Sequence, residues 1–93
     1  MNRAIYSLYR ELLKEACEYG VSCSVLSRFH KRMEKAKYGK MDSSKIVIPL
    51  IREIEKSILR NTRVRDKESA LTSMTRKRTR FSELQREIAY GGK

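Results

Sequence analysis

The chain has 93 residues, 40% of them hydrophobic, which is enough for one modest core but not for a roomy enzyme cleft. Lysine and arginine number 22 against 11 acidic residues, and the formal net charge of +11 points to an acidic partner: nucleic acid, anionic lipid or an acidic protein. Four glycines and one proline disfavour a turn-rich β fold, no apolar run is long enough to span a bilayer, and two cysteines with one histidine suit neither a disulfide scaffold nor a zinc site of ordinary spacing.

Ala4, Ile5, Leu8, Tyr9, Leu12, Leu13, Ala16 and Tyr19 recur at steps of one and three, which predicts an amphipathic helix over 2–19. Arg3, Glu11, Lys14, Glu15 and Glu18 fall on the other face. Gly20 stands where a left-handed cap is needed.

A second helix is expected from Ser22 or Ser24, either of which can cap it, to Gly39. Val25, Leu26, Phe29, Met33 and Ala36 form its apolar stripe, with Tyr38 just beyond. Arg28, Lys31, Arg32, Lys35, Lys37 and Lys40 load the opposite face, and only Glu34 offsets them. Six cations against one anion is steep for a merely solvated face, so it reads as a binding surface. His30, amid these bases, is expected to be an exposed polar residue.

Asp42, Ser43 and Ser44 offer caps for a third helix, with Ile46, Val47, Leu50, Ile51, Ile54 and Ile58 at helical spacing. Pro49 costs about 3 kcal/mol in a helix interior. Either the regular helix begins near Ile48 or it carries a kink one turn in; the later start is expected, with an end near Arg63.

Residues 63–93 hold nine basic and four acidic residues, and their apolar residues are too sparse for an independent core. This predicts a basic extension following a domain over 1–62. Ser82 and Gln85 resemble a capping box, so a short helix through Tyr90 is expected within it. The expected fold class is all-α: a three-helix antiparallel bundle with an extended basic C-terminal tail.

Leu8, Tyr9 and Arg10, followed by Leu12, Leu13 and Lys14, resemble the signature of the LYR family of small mitochondrial proteins. Phe29, then Lys31, Arg32 and Lys35, then Tyr38 are similar to the aromatic and basic positions of that family's second helix. Asp42 fits its acidic linker, and the resemblance covers residues 4–62. It implies a mitochondrial adaptor, an accessory subunit or assembly factor. Such a protein binds an acyl carrier protein and docks it onto a respiratory complex, the iron–sulfur machinery or a mitoribosome, at the matrix or the matrix face of the inner membrane. The acyl chain of the partner's 4′-phosphopantetheine would lie between the three helices, in a channel lined by Leu8, Tyr9, Leu12, Phe29, Met33, Val47, Leu50, Ile51 and Ile54. Arg10, Arg28, Lys31, Arg32 and Lys35 would meet the acidic carrier, guanidinium groups being suited to bidentate pairing. No cofactor is expected to bind the chain directly.

Arg63, Arg65, Arg76, Lys77, Arg78 and Arg80 are expected to contact the host complex or RNA. A basic RNA-binding component of a ribosome or mitoribosome is the rival reading, although aromatic residues for base stacking are few. No nucleophile–base pair, metal cluster or phosphate loop is evident, so no enzyme is expected. The first ten residues hold Arg3 and Arg10 and no acid, as many import signals do, and no secretory signal is evident. Cys17 and Cys23 are expected to be reduced thiols.

Overall fold

The computed structural model describes residues 3–38 and 42–91, without the side chains of 37, 38, 89 and 90. Four helices occupy them: α1 (Arg3–Glu18), α2 (Cys23–Tyr38), α3 (Ser44–Arg60) and α4 (Lys67–Gly91). No strand occurs among the described residues. The all-α class and the first three helices agree with the sequence. The extended tail does not: most of residues 63–93 fold as a fourth helix, the longest in the chain. The expected short helix from Ser82 is only the later part of it. Gly39 and Lys40, expected to end the second helix and extend its basic face, lie outside the described residues.

Helices α1 and α3 are the central pair, and α2 and α4 flank it, each packed against both. The flanking helices do not touch one another among the described residues. One core joins all four. Ile5, Leu8, Tyr9, Leu12 and Ala16 meet Phe29, Met33 and Ala36 from one flank, six residues of α3, and Ala70, Met74, Phe81 and Leu84 from the other flank.

The α1–α2 corner is fixed by backbone chemistry. Gly20 takes φ +85°, and the Val21 N–H donates to Ala16 O at 2.9 Å while Gly20 N–H donates to Cys17 O at 3.3 Å. These two bonds satisfy carbonyls that the end of α1 leaves open. The Tyr19 carbonyl accepts from Ser57 Oγ (2.7 Å) and Asn61 Nδ2 (3.2 Å), which ties the corner to the end of α3.

Helix α3 starts at Ser44, one turn earlier than expected, and contains Pro49. Asp42 Oδ1 accepts the Ser44 N–H at 3.0 Å, and this bond holds the Asp42 carboxyl below its usual range. The early start brings Ile46 and Val47 into the core, both fully buried. Burying two such side chains is worth about 3–6 kcal/mol, which offsets the cost of an interior proline. The helix ends at Arg60, short of Arg63.

Helix α4 begins where Asp66 Oδ1 accepts the Ser69 N–H at 3.0 Å, an N-terminal cap that holds the Asp66 carboxyl low. Its buried positions Ala70, Met74, Phe81 and Leu84 are spaced four, seven and three. The position missing from a regular alternation of four and three is 77, where Lys77 reaches α1 and pairs with Glu15. The neighbouring Arg78 pairs with Glu55 of α3 at 2.6 Å.

Candidate functional site

The outward face of α2 is the most one-sided charged surface of the described chain. Arg28, Lys31, Arg32 and Lys35 are all exposed, and none forms an ion pair among the described residues. Glu34, the single acid of the helix, lies 3.6 Å from His30 Nε2. Helix periodicity sets this arrangement, because Phe29, Met33 and Ala36 fix which side is buried and the bases fall elsewhere.

Along the α2–α3 seam runs an open groove of about 310 Å³, lined by Val25, Arg28, Phe29, Arg32, Pro49 and Glu53. Phe29 is 7% exposed, so its ring belongs to the core while one edge reaches the groove. Arg28 and Arg32, one turn apart, bring two guanidinium groups to an opening otherwise lined by the apolar Val25, Phe29 and Pro49 and by the acid Glu53. Lys35 continues their row at the next turn. Arg10 is exposed on α1, one turn before Leu13, which borders α2.

All nine residues expected to line a channel are gathered in the single core. Leu8, Tyr9 and Leu12 come from α1, Phe29 and Met33 from α2, and Val47, Leu50, Ile51 and Ile54 from α3. Tyr9 carries the polar atom among them. Its hydroxyl is 3.3 Å from His30 Nδ1. Burial, with smaller contributions from Tyr6 and Glu34, pushes the Tyr9 phenol up to about 12. The phenol keeps its proton at neutral pH, and the His30 tautomer sets which of the hydroxyl and Nδ1 donates in the bond between them. His30 is exposed, as expected, but it also joins the buried Tyr9 to α2.

The expected contacts of the C-terminal segment divide. Arg63, Arg65, Arg76 and Arg80 are exposed. Lys77 and Arg78 are not free cations, being paired with Glu15 of α1 and Glu55 of α3 in partly buried contacts between helices. Glu68, Glu83 and Glu87 are exposed on α4 beside Arg76, Arg80 and Arg86. The outside of α4 is thus nearly balanced in sign, unlike that of α2. The inward pairs were missed in the sequence because Glu15 and Glu55 look like solvent-facing acids until a fourth helix covers them.

Comparison with known families, curated proteins and solved structures adds no relative: no family model, curated protein or solved structure matches the chain.

Proposed function

We propose that this protein is an adaptor of the LYR type, which grips an acylated acyl carrier protein through α2 and presents it to a larger mitochondrial assembly. The observation that carries the reading is the unpaired row of Arg28, Lys31, Arg32 and Lys35 beside a groove with Phe29 at its inner edge. A carrier of this class is acidic, and its prosthetic arm places a phosphodiester ahead of an apolar chain. Cations at the rim suit the first group, and core side chains behind them suit the second. Among the described residues α2 packs on α1 and α3 and not on α4, so its displacement would open the interior while α4 kept its own helix partners. Each methylene taken out of water is worth about 0.8 kcal/mol.

Arg10 adds an exposed cation on α1. In this reading the chain acts by binding and positioning rather than by catalysis. A ribosomal RNA contact is the weaker alternative. It rests on Arg63, Arg65, Arg76 and Arg80, and the acids of α4 stand among the last two. Affinity for RNA through those residues would fall steeply with added salt.

The test compares one carrier protein in two forms, with and without a long acyl chain on its 4′-phosphopantetheine. The acyl form is expected to bind at least tenfold more tightly. Equal affinity for the two forms removes the guest chain from the proposal, and no affinity for either removes the carrier.

A further inference from the structure

The α1–α2 corner carries a feature that the adaptor reading does not use. A shallow, mainly apolar groove of about 290 Å³ is lined by Leu13 and Cys17 from α1 and by Cys23, Leu26, Ser27 and His30 from α2. Both cysteines are exposed and free. An unpaired cysteine is ordinarily among the most buried of residues. Here two of them open onto one groove from opposite sides of a short turn.

That turn holds its two helix ends in place. Gly20 closes α1 with its positive φ, and the Tyr19 carbonyl is held by Ser57 and Asn61 of α3. Cys17 lies in the last turn of α1, and Cys23 is the first residue of α2. Their backbones are therefore set by the fold rather than by a flexible loop.

We propose that Cys17 and Cys23 form an oxidisable dithiol whose product is an intramolecular disulfide pinning the start of α2 to the end of α1. The oxidant is a small-molecule disulfide of the glutathione class. One cysteine thiolate attacks the oxidant, its S–S bond breaks, and one glutathione thiolate leaves and takes up a proton. The second cysteine thiolate then attacks the protein sulfur of the mixed disulfide and expels the second glutathione. Two protein thiols lose two electrons, and one glutathione disulfide becomes two glutathiones. The inference stands independently of any carrier protein.

The full chain is equilibrated in glutathione redox buffers, folded and in urea, then alkylated and digested with trypsin. Both cysteines fall on one peptide, residues 15–28, between the cleavage sites after Lys14 and Arg28. The expected result is a monomer whose peptide is two hydrogens lighter and takes no alkylating agent. Its equilibrium constant for closure should be at least tenfold greater in the folded chain than in urea. Separate glutathione adducts on the two residues, disulfide-linked dimers, or equal closure in the two states would each overturn the proposal. In Cys17→Ser and Cys23→Ser, which exchange exposed side chains, the remaining thiol should carry a single glutathione. The oxidised wild type should melt several degrees above its reduced form, and an unchanged melting temperature would show that the bond pins nothing.

Discussion

Helices α2 and α4 hold comparable numbers of cations and use them in opposite directions. Helix α2 has five lysines and arginines and one acid, and the four whose side chains are described all face outward. Helix α4 has six and three acids, yet Lys77 and Arg78 turn inward to Glu15 and Glu55. Charge totals do not separate the two helices strongly. Register against the core does. A cation on a buried stripe serves the fold, whereas a row of cations with no partner is available to another molecule.

The sharpest way to break the contrast is to treat α4 as dispensable. Phe81 is fully buried, so Phe81→Ala should cost about 3–5 kcal/mol, read from urea unfolding. An arm lying loose in solvent would show almost no change. Next in size is the alkaline limb of stability. The Tyr9 phenol is held at about 12 in the folded chain against 10.0 ordinarily. Between those values the unfolded chain has lost a proton that the folded chain keeps, so stability is full below pH 10 and falls as pH rises through 12. The loss should reach about 2–3 kcal/mol and should be absent in Tyr9→Phe.

A smaller effect separates the two kinds of lysine. Lys77→Ala leaves Glu15 half-buried without its ion partner and should cost about 1–3 kcal/mol, the lower end reflecting partial exposure. Lys31→Ala, on the open face of α2, should change stability by less than about 0.5 kcal/mol. Arg76→Ala and Arg80→Ala, equally exposed, should likewise leave unfolding within about 0.5 kcal/mol of the parent.

How legible each part was in the sequence follows from the same physics. Helices α1, α2 and α3 announce themselves by apolar stripes unbroken at the core positions. Helix α4 does not, because its steps of four and three from Ala70 to Ile88 pass through Lys77. A lysine there reads as a break in the stripe, yet its methylene stem packs while its ammonium meets Glu15. The cap at Asp66 was an available signal for the true start of α4. Pro49 misled in the other direction: its local cost was weighed without the burial of Ile46 and Val47 that lies just before it. The outward bases of α2 were readable because the opposing stripe of Phe29 and Met33 sets their face. The thiol groove was not, since it depends on how a turn folds two helix ends together.

The most direct test of the division between the two flanks is capture of an acylated acyl carrier protein by paired charge reversals. Arg28→Glu with Arg32→Glu should lower affinity at least thirtyfold while the circular dichroism and unfolding midpoint stay near those of the parent. Arg76→Glu with Arg80→Glu should bind as the parent does. Undiminished capture by the α2 variant, or loss confined to the α4 variant, would contradict the assignment of the partner face to α2.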